Sequence, residues 1–546
     1  MKPYAELLTV LQTQSMYDVL AERDPSADPK TLDPATLNLF VNCACLLGDI
    51  DEVLQTALDN PLTARLPEDG ATMLLYALYE SGNGAQLPGG RVAVQAGGDR
   101  PNTIGYAAAC LLQAGDARQA MDLFVRLIRR DPERQHPGHQ RFAFEAICRA
   151  YPEASDEQLR GAMRQAFPKE SPGWIDYGLF RRRPTTERAM SLPAPDAGMI
   201  QRGKHIGSIP PESAVRVALP EEYARYRPSA PTEIEPERLA RRIKEIAAHV
   251  AARSRAQTTD GVMAAVAAVR ERYAPQAGGP VQVVSTGRAG TTALFELLDA
   301  SKLYTPFHSY AWITAPRHRW AMIGLLSEPS LNEAVLDSLT DLFLTCRGTE
   351  WLSAYRAGRT PVLVSHWDAV FAPILAGLFP DARFLSLRRD VDAVINSMIR
   401  KRQFAGAQLV PLPYADPPQG PGPSETADPS KGSQRLIFSR ALYEELPFNV
   451  AWYLAFTEKL WSGLGGAFPE RAEIAIESDA LFRGEADALA ALLDGAFPES
   501  GVSPIFARTH FSRPINEKPA REMPKTERVE AYQREARRRY DALIGA

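Results

Sequence analysis

Two stretches about 100 residues apart constrain this chain most: VQVVSTGRAGTT at 281–292, and FPDARFLSLRRDVDAVINSMIRKR at 379–402. In the first, Val281 to Ser285 predict a short buried strand, Gly287-Arg288-Ala289-Gly290 a tight loop, and Thr291 onward through ALFELLD an amphipathic helix. A strand that turns through glycine into a helix aims its loop amides and the helix N-terminus at one anion. Arg288, Thr291 and Thr292 add further donors at that point. The Walker pattern needs a longer loop and a lysine just before the hydroxyl, and the chain has neither, which disfavours a plain nucleoside triphosphatase. Such turns also serve purely as structure in α/β proteins.

The second stretch strengthens the anion reading. FLSL predicts a four-residue apolar strand that delivers Arg388, Arg389 and Asp390 to its carboxyl end. The helix that follows carries Ser397 on its first turns, eight residues after Arg389, so a guanidinium and a hydroxyl can converge on one phosphate. The bland alternative pairs Arg389 with Asp390 or Asp392. Together the two stretches read as receptors for the two ends of one nucleotide.

On these residues the chain resembles a family. GRAGTT is similar to the 5′-phosphosulfate loop of sulfotransferases, and RDVDAVINS to their 3′-phosphate motif, with Arg389 and Ser397 at the matching places. The run LFPDARFLSLRRDVDAVINSMIRKR particularly resembles tyrosylprotein sulfotransferases and bacterial sulfotransferases that carry tetratricopeptide repeats. The resemblance covers roughly residues 280–520 and implies 3′-phosphoadenosine-5′-phosphosulfate (PAPS) as donor.

The first 165 residues are helical by period, and glycines in CLLGD, YESGN and LQAGD, at 48, 82 and 115, recur at spacings of 34 and 33. That period fits helix–turn–helix units of tetratricopeptide type, with a decayed fourth copy through RFAFEAICRAYPEASDEQLRGAM and an atypical cap over residues 4–22. An irregular helical bundle is the plainer alternative. The expected division is a tetratricopeptide-like domain over 1–168, a proline-rich linker or strap over 169–232, and a catalytic domain over 233–546 with its nucleotide core at 280–520. The fold class is therefore α/β, a P-loop-type parallel β-sheet flanked by helices as in the sulfotransferase fold, preceded by an all-α repeat domain. Gly406 to Gly432, rich in proline, glycine and serine, interrupts the catalytic domain as a long loop.

A formal charge of −4 gives no global reason to expect nucleic acid, and the clusters Arg181-Arg182-Arg183 and Arg537-Arg538-Arg539 read as solvated faces. No stretch of about 18 apolar residues exists and the start lacks a secretory pattern, so a cytoplasmic, non-membrane-spanning protein is expected. Five cysteines without a CxxC pair read as reduced core residues rather than as a disulfide framework or a zinc site.

In an open parallel sheet the ligand binds beyond the carboxyl ends of the strands. Four such ends are legible: VQVVS leading to Arg288, LYTPF to His308, PVLVS to His366 and FLSL to Arg389. Sulfuryl transfer needs a base for the acceptor oxygen and cations for the developing charge, and either histidine suits the base. The tyrosylprotein-type enzymes place a catalytic Glu near position 308, whereas this chain has Phe-His-Ser-Tyr there. His366 resembles in position the catalytic His of the cytosolic branch, with Val-Ser-His-Trp-Asp in place of Lys-Thr-His. The more similar branch favours His308. For each histidine the bland alternative is a hydrogen-bonded residue at a strand end.

The strand AEIAIES ends at Glu477, read as structural, and RTHFSRPINEKP brings His510, Arg513 and Lys518 to the place where the family closes a basic loop over the nucleotide. No metal is implied, since no cluster shows ligand spacing. The expected activity is PAPS-dependent sulfuryl transfer to a hydroxyl-bearing acceptor such as a carbohydrate, lipid, phenol or peptide tyrosine, with the repeats recruiting a protein partner or the acceptor. Two rivals stay open: a P-loop phosphoryl-transfer enzyme, and a repeat-based scaffold with a vestigial nucleotide domain.

Overall fold

The computed structural model describes residues 68–80, 83–86, 101–130, 137–168, 172–195, 235–256, 261–308, 316–327, 329–400, 440–513 and 527–545, with scattered positions between 34 and 66. The described residues of 1–168, 399–449 and 519–534 form one compact unit, and those of 169–398, 450–518 and 535–546 a second.

The first unit is helical: α1 (Glu68–Glu80), α2 (Pro101–Gln113), α3 (Ala117–Arg130), α4 (Pro137–Ala150) and α5 (Asp156–Ala166). Each packs on the next in the chain. Ala107, Ala108, Ala109 and Cys110 are buried along α2, and such small side chains let neighbouring helices approach closely. Between α2 and α3 the chain reverses at Gly115, whose φ of 86° lies in the left-handed region that glycine tolerates without cost from a Cβ. Asp116 then accepts from the Gln119 amide at 3.1 Å, satisfying a donor of the first turn. At α5, Ser155 and Gln158 form a reciprocal capping box. The glycines at 48 and 82, the cap over 4–22, Cys43, Cys45 and the 406–432 segment lie outside the described residues.

In the second unit, the segment expected as a linker contains two helices, α6 (Pro172–Phe180) and α7 (Thr186–Ser191). The apolar run WIDYGLF outweighs the surrounding prolines, because Ile175, Tyr177, Leu179 and Phe180 are all buried. Arg356 fastens α7 by donating to the Met190 carbonyl at 3.0 Å. Residues 196–234 lie outside the described ones.

From residue 236 onward the described chain carries α8 (Pro236–Ala256), α9 (Val262–Tyr273), β1 (Val281–Val284), α10 (Thr291–Asp299), β2 (Tyr304–Phe307), α11 (Pro316–Ser327), α12 (Glu333–Arg356), β3 (Thr360–Leu363), a 3₁₀ turn (His366–Phe371), α13 (Ala372–Leu378), β4 (Arg383–Arg388), α14 (Val391–Arg400), α15 (Arg440–Ala467), β5 (Ile474–Glu477), α16 (Ser478–Phe482), α17 (Ala486–Ala490), α18 (Pro504–Phe511) and α19 (Glu527–Gly545), of which residues 399–400, 440–449 and 527–534 belong to the first unit. The five strands lie in the order β2-β3-β1-β4-β5, and every pairing is parallel. Parallel sheets need helices on both faces, so their strands read as unbroken apolar runs. β1, β2 and β3 are buried at every residue, whereas the edge strand β5 is largely open. The fold is thus mixed α/β around an all-parallel sheet.

From β1 the chain crosses to β2 on one flank, and from β4 to β5 on the other. Connections that leave neighbouring strands in opposite directions open a crevice at their carboxyl ends. That crevice lies between β1 and β4, which are paired from Val281–Arg383 to Val284–Ser386.

Among the described residues, no helix is long and apolar enough to cross a membrane. Cys110, Cys148 and Cys346 are buried and form no disulfide, and burial pushes the Cys110 thiol far up, which keeps it protonated and unreactive. Arg537, Arg538 and Arg539 pair with Asp392, Asp541 and Glu535 along the open face of α19.

Candidate active site

The loop after β1 is bent by three left-handed residues: Gly287 at φ 72°, Arg288 at 51° and Gly290 at 90°. Backbone bent this way turns successive amides toward one side and makes a concave anion receptor. Arg288 is the exception, since an L-residue in this region costs roughly 1–2 kcal/mol. The Ser285 hydroxyl accepts from the Gly287 amide at 3.2 Å and fixes the start of the bend. At the other end, α10 begins behind Gly290 with no side-chain cap on its first amides. Those amides carry the positive end of the helix dipole, so the loop and the helix favour the same anion. Ala289 and Thr291 are buried against the core, which anchors the loop's underside.

Both glycines are required sterically. A Cβ at Gly287 would lie 2.8 Å from Nε2 and Cδ2 of His366, and one at Gly290 would lie 2.9 Å from Cζ of Phe482. Gly287→Ala should therefore lower stability by roughly 1–2 kcal/mol for the backbone alone, plus the displacement of His366. Thermal unfolding at neutral pH checks it, and an unchanged midpoint would show that the loop relaxes freely.

The parallel register brings the residues after β4 alongside this loop. Arg288 donates from Nε to the Ser397 hydroxyl on α14 at 2.9 Å, and Arg389 donates from Nη1 to the Arg288 carbonyl at 3.1 Å. The two sequence signatures, 101 and 109 residues apart at these contacts, are thus joined by direct hydrogen bonds. The bland alternative for Arg389 is not what forms: it reaches Asp479 at 3.1 Å rather than Asp390 or Asp392. Asp390 instead caps α14 by accepting from the Ala393 amide at 2.8 Å, and Asp392 pairs with Arg537. Arg388 turns away to Glu458 at 3.1 Å.

His308 follows β2, its ring edge-on to Phe295 of α10 with centroids 5.8 Å apart. His366 opens the 3₁₀ turn after β3, half-buried as a residue but with both ring nitrogens enclosed. Burial lowers the pKa of His308. For His366 burial is again the largest cause, and the nearby charges of His308, Arg319 and Arg288 drive the value well below the usual range. The two histidines and two arginines therefore share one electrostatic neighbourhood. Both rings are held neutral at neutral pH, as proton acceptors must be.

The turn that carries His366 is fixed by a buried ionic triad. Arg347 of α12 bonds to Asp368 through Nη2 and to Glu350 through Nη1 at 2.5 Å, with all three side chains at most 2% exposed. On the adjoining face, α11 packs against the same turn and buries Arg319. Burial draws the Arg319 pKa down to about 9, an effect countered by the neighbouring Tyr453 phenol. None of these partners carries a sequence motif: Arg347 and Asp368 are 21 residues apart, Arg389 and Asp479 90. A buried arginine within an apolar helix such as α12 was the only signal available.

Of the expected basic lid, His510 lies behind the site, with Nε2 2.9 Å from the Ala293 carbonyl of α10. Arg513 follows α18 with its amide bonded to the His510 carbonyl, and Lys518 lies outside the described residues. Glu477 is exposed at the end of β5 and leads into α16 without capping it through its side chain. Thr292 is half-buried on the first turn of α10.

No protein-family model, no curated protein and no solved structure matches the chain.

Proposed function

We propose that the chain is a sulfotransferase of the P-loop-type α/β fold that uses PAPS as donor and a hydroxyl-bearing compound as acceptor, with the N-terminal helices acting as tetratricopeptide-like repeats that recruit a partner or the acceptor. The observation that carries this reading is the joining of two cationic anion-receptor elements, the glycine loop with Arg288 and the β4 end with Arg389 and Ser397, at the β1/β4 crevice. One receptor would serve a single phosphate. Two linked receptors suit a nucleotide that carries anions at both its 5′ and 3′ ends.

The residues present fit that ligand. Loop amides, the start of α10 and Arg288 would hold the 5′-phosphosulfate, while Arg389 and Ser397 would hold the 3′-phosphate. The donor, when bound, supplies an electrophilic sulfuryl group with adenosine 3′,5′-bisphosphate as leaving group. The chain's own tasks are then three. A neutral histidine, His308 or His366, takes the proton of the acceptor hydroxyl, Arg288 and the loop amides stabilise the charge that grows on the leaving phosphate, and Arg389 fixes the nucleotide's far end. A phosphoryl-transfer enzyme would want the Walker lysine that this loop lacks.

Titration calorimetry tests the donor. Adenosine 3′,5′-bisphosphate should bind without added divalent metal and more tightly than ATP, and preference for ATP would overturn the proposal. Arg389→Ala should weaken the bisphosphate by about 1.5–3 kcal/mol, the usual worth of a charge-assisted contact. Adenosine 5′-phosphate should be affected much less, and equal losses for both ligands would mean that Arg389 acts only through the fold.

A further inference from the structure

Arg389 is held from three sides, and two of them belong to one short helix that lies some ninety residues later in the chain. Asp479 of α16 accepts from Arg389 Nε through Oδ1 at 3.1 Å and from the Asp390 amide through Oδ2 at 3.0 Å. Three residues on, and so on the same helical face, Phe482 places its ring 5.6 Å from the Arg389 guanidinium, within reach of a cation–π contact. The same ring closes on the glycine loop, where a Cβ at Gly290 would approach Cζ to 2.9 Å. Its other neighbour is Phe511, edge-on at 5.9 Å, which ties it to the core. The third side is the Arg288 carbonyl of the loop itself. Among the described residues, these contacts use Nε and Nη1 and leave the Nη2 donors of Arg389 uncommitted.

We infer that Asp479 and Phe482 are positioning residues, and that α16 acts as a strut which presets Arg389 against the glycine loop so that the two anion receptors are built as one unit. This rests on the nucleotide reading given above. A free arginine side chain surrenders up to about 2 kcal/mol of rotamer entropy when it is ordered on a ligand. Here two neutral surfaces and one carboxylate have already ordered it, and the bidentate carboxylate locks the turn at 389–390 at the same time. A carboxylate next to a phosphate site is costly in charge, so its presence calls for such a compensating role.

The experiment compares binding of adenosine 5′-phosphate and adenosine 3′,5′-bisphosphate by calorimetry in the full chain. The ratio of the two dissociation constants reads the 3′-phosphate contact alone. Asp479→Asn leaves one acceptor where two are needed, and it should cut that ratio by about tenfold, the equivalent of one charge-assisted contact near 1.4 kcal/mol. Combined with Arg389→Ala, it should cause no further loss, because both changes remove the same contact. Phe482→Leu keeps the apolar volume while removing the ring face; it should shift the ratio in the same direction and serves as the second variant if Asp479→Asn folds poorly. A ratio that stays unchanged or rises in both variants overturns the strut, since loss of a mere screening carboxylate would tighten binding of the bisphosphate. If the wild-type chain itself fails to prefer the bisphosphate, the nucleotide reading fails instead.

Discussion

Arg347→Met should be the most destabilising single change in the second unit, by at least about 3–5 kcal/mol at neutral pH. The guanidinium is fully buried between Glu350 and Asp368, and its removal leaves two carboxylates in the core with no cation between them. Methionine fills most of the volume, so the loss would be electrostatic rather than a cavity. The pH dependence gives the cause away. Without Arg347, burial favours the protonated carboxyl, so the folded-state pKa values would rise above their unfolded values near 4. A group whose folded pKa is raised gives stability that is present at low pH and lost as pH rises, so the variant should recover partly on mild acidification. Asp368→Asn makes the control, because it leaves a neutral Arg–Glu pair in nearly the same shape and should cost only about 1–3 kcal/mol. Denaturant unfolding from pH 4.5 to 7.5 distinguishes them, and an Arg347→Met penalty that does not shrink with acid would show that packing, not charge, is what the triad supplies. Because Asp368 lies in the turn opened by His366, the same variants should misplace that ring against Gly287.

The strands and the loop of this unit were legible because their signals are local. β1, β2, β3 and β4 each show as a short apolar run bounded by glycine, proline or charge, and a parallel sheet buried on both faces demands such runs. Residues Gly287 to Thr292 carry their conformation in their composition, since two of the three left-handed positions are glycine. The hydrogen bond from Arg288 to Ser397 was not legible, because it depends on register between β1 and β4 and on the reach of a side chain. Asp479, Phe482, Arg319 and the Arg347 triad were hidden for the same reason: each acts through a partner distant in sequence, and no spacing within one element announces it. The described part of the segment 169–232, residues 172–195, misled in the other direction. Its proline content reads as linker, yet nine residues of it, Pro172 to Phe180, bury enough apolar surface to fold as helix.

His308→Ala should lower kcat by roughly 10²–10⁴-fold and leave bisphosphate affinity nearly unchanged, the pattern expected when a general base is removed. The choice between the two histidines rests on basicity and place. His366 lies against the loop glycine with Arg288, Arg319 and His308 as electrostatic neighbours, and their charges compound its burial. Its pKa is driven well below the ordinary range, which makes it a weak proton acceptor; a ring that holds an N–H beside the loop serves better as a donor to developing negative charge. His308 has burial as its largest perturbation and stands edge-on to Phe295 of α10. It is the stronger base of the pair while still neutral at physiological pH. The acid limb of the kcat/KM profile should accordingly lie below about pH 6.5, the ordinary histidine value, and should vanish in His308→Ala. His366→Ala should retain the limb and lose part of its rate through weaker charge stabilisation. If His308→Ala turns over near normally while His366→Ala is dead and loses the limb, the roles are exchanged. If both variants keep the rate and the limb, neither ring takes the proton and the sulfuryl-transfer assignment loses its base.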